Sequence, residues 1–329
     1  ALENGFTPAT LVLDAPFVIE QRPGVMWRPQ NYSGEYYGPT PVRVGIEKSR
    51  NLMTVRLADY VGMETIIESA REFGVVEDMQ PFLSAALGSV ETTLLRLTSG
   101  YAQFVNGGKK IYPTFIDRIQ NRRGDTVFAH DTRACETCGP LIQWTGQDVP
   151  EIPDTREEIA DPRHAYQIVS MLEGVVQRGT GRRISALGRP LAGKTGTTND
   201  AKDTWFIGFS PDLVVGVFVG YDEPKKLGRR ATGSSVAAPV FKSFMEEALK
   251  DEPPMPFRVP PGIRQVRIDA TDGTRAEPGD EKVIWEAFLA GTEPSSQVYI
   301  LDGRGISIMP TSGNSPEAAA AITGTGGLY

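Results

Sequence analysis

Apolar residues recur at helical spacing in five stretches of this chain. Between Asn51 and Tyr60, Leu52, Val55, Leu57 and Ala58 form one stripe, the pattern of a helix with a single buried face. A second helix is predicted from about Glu64 to Phe73 and a third from about Thr92 to Val105. Gly74 and Gly107-Gly108 stop them, since glycine just past the last periodic residue ends a helix. Asp161-Pro162 reads as an N-cap followed by proline in the first turn. The helix it opens carries Ala165, Ile168, Val169, Leu172 and Val175 on one face and ends at Gly179-Thr-Gly181. A fifth helix after Pro239 presents Phe241, Phe244, Met245 and Leu249.

The apolar runs Thr204-Trp-Phe-Ile-Gly-Phe209 and Leu213-Val-Val-Gly-Val-Phe-Val219, separated by Ser210-Pro-Asp212, predict a β-hairpin. A short Gly-containing strand is expected within Leu191 to Thr198. A further hairpin over Thr114 to Phe128 turns at Arg123-Gly124-Asp125. The first 45 residues are rich in Pro, Gly, Asn and Tyr and read as extended loop with turns. A block of helices, a hairpin sheet and a covering helix indicate an α+β domain over residues 1–250, an antiparallel sheet with a helical subdomain. From 251 to 302, Pro253-Pro254 and Pro260-Pro261 mark a linker with one strand at Gln265 to Asp269. Residues 303–329, rich in Gly, Ser and Ala, are expected to be mostly disordered.

Composition narrows the function classes. Lys and Arg total 34 against 41 Asp and Glu, a net charge of −7. That balance argues against a nucleic-acid partner, which needs clustered positive charge. No stretch approaches the ~20 apolar residues of a membrane span. The opening Ala-Leu-Glu-Asn-Gly carries neither an initiator Met nor a leader, and is expected to continue from a segment upstream. Cys135 and Cys138 form a lone Cys-x-x-Cys. Two thiols and two histidines, His130 and His164, make a poor zinc set. A short-loop disulfide or free thiols remain, according to compartment. No metal and no cofactor are expected.

Two short motifs carry candidate chemistry. Lys194-Thr195-Gly196-Thr197-Thr198 places a cation, hydroxyls and a glycine in one strand. Glycine on an edge strand admits a ligand closely, and the lysine suits a small carboxylate. Taken alone it is also an ordinary polar strand edge. Gly188 to Thr195 matches Gly-x-x-x-x-Gly-Lys-Thr literally, but a hairpin follows instead of the helix a phosphate loop requires. The second motif, Ser49-Arg50-Asn51, lies just before a helix. A hydroxyl and an amide two positions apart can face one cleft there, or serve as a plain N-cap.

Together the motifs resemble two of the three signatures of penicillin-recognising serine acyltransferases, Ser-x-Asn and Lys-Thr-Gly, the third being Ser-x-x-Lys. Flanking text carries the likeness further: Leu2-Glu-Asn-Gly-Phe-Thr-Pro8, Tyr37-Gly-Pro-Thr-Pro41, Gly45-Ile-Glu-Lys-Ser-Arg-Asn51, Gly100-Tyr-Ala-Gln-Phe-Val-Asn-Gly-Gly108 and Asp203-Thr-Trp-Phe-Ile-Gly-Phe209. Over residues 1–250 the chain is similar to the transpeptidase domain of class A penicillin-binding proteins of the 1A type.

The resemblance implies a penicillin-binding, β-lactamase-like transpeptidase fold. It also implies a D,D-transpeptidase that cross-links peptidoglycan stem peptides at D-Ala-D-Ala and is blocked by β-lactams. Its implied location is the periplasmic face of the bacterial inner membrane. Ser49 then passes a proton to the leaving amine and Asn51 holds the substrate's peptide carbonyl. Lys194, Thr195, Gly196 and Thr197 bind the terminal carboxylate, with the Thr197 N–H as half of an oxyanion hole. No serine of this chain has a lysine three positions later. The nucleophile is therefore expected upstream of Ala1, with a glycosyltransferase domain and a membrane anchor before it. An oxidising periplasm implies that Cys135 and Cys138 are disulfide-bonded. Two alternatives are a non-catalytic scaffold on the same fold and, more distantly, a serine β-lactamase.

Overall fold

The computed structural model describes residues 1–133, 135, 145–146, 152–295 and 297–308. Strands β1 (Leu11–Asp14), β2 (Ile19–Arg22), β3 (Val25–Trp27) and β4 (Gly38–Pro41) come first. Helices α1 (Val42–Lys48), α2 (Asn51–Val61), α3 (Met63–Glu72) and α4 (Leu94–Val105) follow. The hairpin β5 (Arg118–Gln120) and β6 (Thr126–Ala129) leads to α5 (Pro162–Gln177). Next are β7 (Ala192–Thr197), β8 (Thr204–Phe209), β9 (Val214–Val219) and α6 (Ala238–Ala248). The chain continues through β10 (Ile263–Asp269), β11 (Val283–Leu289), β12 (Tyr299–Asp302) and β13 (Gly305–Ile308).

The expected helices form within a residue or two of their predicted ends. Helix α5 starts as read: Asp161 accepts from the Arg163 backbone N–H at 2.8 Å, with Pro162 in the first turn. Its buried stripe packs in two directions. Val169, Leu172 and Val175 meet Ala192 and Phe209 of the sheet, while Met171 joins Val12, Val42 and Met53. The sheet runs β7-β8-β9, antiparallel throughout, and its other face is covered by α6 through Phe206, Phe241 and Met245. Burying each such side chain contributes ~1.5–3 kcal/mol. The expected α+β class, antiparallel sheet and helical block are what the structure shows.

Two regions differ from expectation. The first 45 residues hold four strands and the start of α1 where loop was expected. All four residues of β1 are buried, and β4 (Gly-Pro-Thr-Pro) pairs with β1 as the outer strand of its sheet. Proline is tolerated at such an edge, so its presence hides a strand from a sequence reading. The segment read as a linker with one strand carries the hairpin β10-β11. Beyond it β12 lies parallel to β1, with Leu11 opposite Ile300, and β13 pairs back onto β12. Gly305–Ile308 is therefore a strand, not part of a disordered tail; residues 309–329 lie outside the described residues. Pairing across nearly the whole chain leaves no local signature.

Candidate active site

Between α1 and α2 the chain turns through Ser49 and Arg50. Ser49 takes a left-handed conformation, φ 56° and ψ 56°. The Arg50 N–H reaches back to Gly45 O at 2.8 Å and the Ser49 N–H to Ile46 O at 3.2 Å. This is the helix-ending arrangement that glycine usually occupies. A serine there is strained by roughly 1 kcal/mol, and strained residues of this kind gather at functional sites. The reading of Ser49 or Asn51 as a plain N-cap is set aside by the geometry: Ser49 closes α1, and neither side chain caps α2.

That cap comes from elsewhere. The amide oxygen of Asn31 accepts from the backbone N–H of Asn51 at 2.9 Å and of Leu52 at 3.3 Å. The Asn31 amide nitrogen donates to buried Asp14 at 2.7 Å and to Glu35 O at 2.9 Å. Burial pushes the Asp14 carboxyl above its ordinary value. With the helix end satisfied from outside, the Ser49 hydroxyl turns to Lys194 of β7, while the Asn51 amide donates to Gln30 O at 2.8 Å. The Arg50 guanidinium stacks 3.2 Å above the centre of the Tyr37 ring, a cation–π contact.

The opposite wall is β7, the edge strand of its sheet. Lys194 donates to the Ser49 hydroxyl at 2.8 Å and to Thr195 O at 2.9 Å. The two sequence motifs, 145 positions apart, thus meet by a direct hydrogen bond. Desolvation holds the Lys194 ammonium down at about 8. The Thr195 hydroxyl shares a 2.7 Å bond with that of Thr180, just past α5, and the Thr197 hydroxyl accepts from the Gly233 N–H at 2.9 Å. Gly233 has to be glycine: an added Cβ would stand 2.5 Å from Trp205 O and 2.6 Å from Gly196 O. Ser49 and Lys194 meet directly, Thr195, Gly196 and Thr197 follow Lys194 along β7, and the Asn51 amide is engaged by Gln30 instead. Sequence reasoning missed Asn31, Thr180 and Gly233. Only Thr180 left a trace, as the centre of Gly179-Thr-Gly181.

A second feature lies among α1, α2, α4 and α5. A cavity of about 490 Å³, lined mainly by apolar groups including Leu2, Met53, Phe104, Ile168 and Met171, reaches the N-terminal residue Ala1. Among the described residues no cluster of three or more His, Cys, Asp or Glu side chains could hold a metal ion. No helix of the described residues is long and apolar enough to cross a membrane. The expected Cys135–Cys138 pair falls partly outside the described residues, because Cys138 is not among them.

A Lys-Thr-Gly strand hydrogen-bonded to a Ser-x-Asn turn, within a helix-and-sheet frame, defines the class of α+β domain that the motifs resembled. Comparison with known proteins makes this specific. Residues 1–246 match the family model of the penicillin binding protein transpeptidase domain, and the chain belongs to that family. It is 47% identical over 290 residues to penicillin-binding protein 1A of Rickettsia bellii, covering 88% of this chain and 36% of that protein. Its fold superposes on the crystal structure of penicillin-binding protein 1A from Haemophilus influenzae with a TM-score of 0.76 and 31% identity, over 89% of this chain and 46% of that one. The fold also matches penicillin-binding protein A from M. tuberculosis as its penicillin G acyl-enzyme complex, with a TM-score of 0.55 and 21% identity, over 75% of this chain and 57% of that one. The chain therefore spans a little over a third of the length of its Rickettsia relative.

Proposed function

We propose that this chain forms the greater part of a D,D-transpeptidase centre that cross-links peptidoglycan stem peptides by acyl transfer at D-Ala-D-Ala, and that β-lactams acylate the same centre. The observation that carries the reading is the Lys194–Ser49 hydrogen bond of 2.8 Å, which joins the two motifs across one cleft. In this reading a serine of a Ser-x-x-Lys helix preceding residue 1 attacks the carbonyl of the penultimate D-Ala. The oxyanion that forms is held by that serine's own N–H and by the Thr197 N–H. Lys194 and Thr195 bind the substrate carboxylate, a charge-assisted contact. Ser49 hands a proton to the departing D-Ala amine as the C–N bond breaks, and Asn51 holds the peptide carbonyl. A second stem peptide's amine then takes the acyl group and releases the serine. The apolar cavity beside Ala1 suits the upstream helix, which would enter against Met53 and Met171.

The resemblance also supports a whole protein with a glycosyltransferase domain and an anchor upstream, working at the periplasmic face of the inner membrane. An idle scaffold is the poorer reading. A desolvated ammonium opposite a strained serine costs stability and gains nothing from a fold without chemistry.

Fluorescent penicillin on a denaturing gel tests the assignment. The 329-residue chain should stay dark, since none of its serines has a built-in base one helical turn on. The same chain extended through the upstream Ser-x-x-Lys should label. A labelled band from the shorter chain overturns the nucleophile assignment, and a dark extended chain overturns the function. The oxidising compartment further implies a Cys135–Cys138 disulfide. Non-reducing mass spectrometry should find the chain two hydrogens light, and two alkylatable thiols in periplasm-derived protein would reject that pairing.

A further inference from the structure

What fixes the end of α1, one residue before Ser49, is a chain of charged side chains that begins far away in sequence. Glu286 of β11 is fully buried and ion-paired with buried Arg43 of α1, whose Nη2 lies 2.5 Å from Glu286 Oε1. Arg43 also donates through Nη1 to Ser170 O at 3.0 Å and to Glu47 Oε1 at 3.3 Å. Glu47 Oε1 accepts from Arg178 Nη2 as well, at 2.6 Å. The Arg178 carbonyl in turn accepts from Lys48 Nζ at 2.5 Å, and the Glu47 carbonyl accepts from the Thr180 N–H at 3.1 Å. Thr180 then reaches Thr195 of β7 by the 2.7 Å hydroxyl contact. The series therefore ties the turn bearing Ser49 to the strand bearing Lys194.

The backbone is shaped around this carboxylate. Gly174 lies inside α5, where glycine is unfavourable. A Cβ at Gly174 would stand 1.9 Å from Glu47 Oε1, and one at Gly179 would stand 2.2 Å from Glu47 O. The two glycines let the Glu47 turn sit directly on α5. A buried ion pair is a weak source of net stability, because desolvation offsets the attraction; fixing register is its better-attested use. Glu286 and its hairpin lie beyond residues 1–246, the part that matches the family model.

We propose that Glu47 is a positioning residue, and that the β10-β11 hairpin acts on the cleft through it. Glu286 fixes Arg43, Arg43 and Arg178 fix the Glu47 carboxylate, and Glu47 holds the Ser49 turn in register with Thr180 and Thr195. The inference rests on the proposed acyl transfer, in which the Ser49 hydroxyl must stand within hydrogen-bond reach of the leaving amine.

The test is acylation of the whole protein by a fluorescent penicillin, resolved into the dissociation constant and the acylation rate constant, with thermal melting alongside. Glu47→Ala and Arg178→Ala should each lower the rate constant about tenfold or more, as a displacement of an ångström does elsewhere. The dissociation constant should stay within about threefold, because pairing with β8 still holds Lys194 and Thr195 in place on β7. Glu47→Gln keeps an acceptor for Arg178 and should recover most of the loss. Glu286→Gln should show a smaller loss of the same kind, acting one link further away. Arg178 is 35% exposed, so its variant decides the matter if Glu47→Ala does not fold. Rate constants within twofold of the parent in every folded variant overturn the positioning role. So does a loss that follows the folded fraction and that Glu47→Gln fails to repair. A parent protein that penicillin does not acylate overturns the proposed function, and this inference with it.

Discussion

Lys194 sits on a strand paired residue by residue with β8, from Ala192 opposite Phe209 to Thr197 opposite Thr204. Ser49, facing it, sits on a two-residue turn in no strand at all. Its place is set by helix-end bonds to Gly45 and Ile46 and by side chains from residues 31, 178 and 194. One wall of the cleft is held by many equivalent backbone bonds, the other by a few side-chain atoms from distant parts of the chain. A ladder distributes the loss of any single group, since each backbone bond contributes only ~0.5–1.5 kcal/mol. A turn held by single side chains concentrates it. Substitutions on the two walls should therefore fail differently: on β7 by loss of chemistry with the fold kept, and at the Ser49 turn by loss of both.

The largest expected effect lies on the ladder wall. In the whole protein, Lys194→Ala should lower β-lactam acylation by about 10²-fold or more, because it removes the cation opposite the carboxylate from a preorganised site. Melting temperature should hold or rise, since the backbone pairing of β7 does not involve the side chain and the cost of burying its charge is removed. Near-normal acylation by a folded variant would take Lys194 out of the site. A melting temperature that collapses would show that β7 is not self-supporting.

The turn wall should give the opposite signature. Asn31→Ala removes the cap of α2 and leaves buried Asp14 without its donor, at a cost of about 2 kcal/mol. Denaturant unfolding measures this directly, and acylation should fall as the Asn51 turn loosens. A loss under ~0.5 kcal/mol would mean that the turn has support besides Asn31, and the contrast between the walls would shrink.

The smallest effect is a proton. Burial lowers the Lys194 ammonium to about 8, below the ~10.4 of an exposed lysine. The folded chain releases this proton before the unfolded chain does. The cost of burying the charge is thus fully present below about pH 8 and fades as pH rises toward the ordinary lysine value. Affinity for a carboxylate should run the other way, weakening as pH climbs through about 8. Titration of the Lys194 side-chain carbon by NMR in the 329-residue chain reads the midpoint. A value above 10 would show the ammonium to be solvated and the ladder wall to be open.

The same contrast explains what could be read in advance. Helix α5 was legible because its stripe, its Asp161-Pro162 start and its glycine stop are all local signals agreeing on one answer. Strands β8 and β9 were legible as apolar runs around a Ser-Pro-Asp turn, and Lys194 to Thr197 stood out beside them. Strand β4 was not, because Pro39 and Pro41 forbid a central strand and only the sheet places them at an edge. Ser49-Arg50-Asn51 does precede a helix as read, but the helix that Ser49 closes was not legible, because a left-handed serine contradicts the local preference for glycine at that place.

By itself, then, the sequence determined helices α2 to α6, the β8-β9 hairpin, the α+β class and the two motifs, since spacing and side-chain chemistry along a few turns suffice for those. Tertiary structure alone decided that β12 would lie beside β1, that Asn31 would cap a helix twenty residues on, and that Glu286 would anchor Arg43. It also decided that Lys194 would meet Ser49. Each of these contacts joins groups that no periodicity links. They form only where chain closure, burial and the pairing of otherwise stranded polar groups are satisfied together.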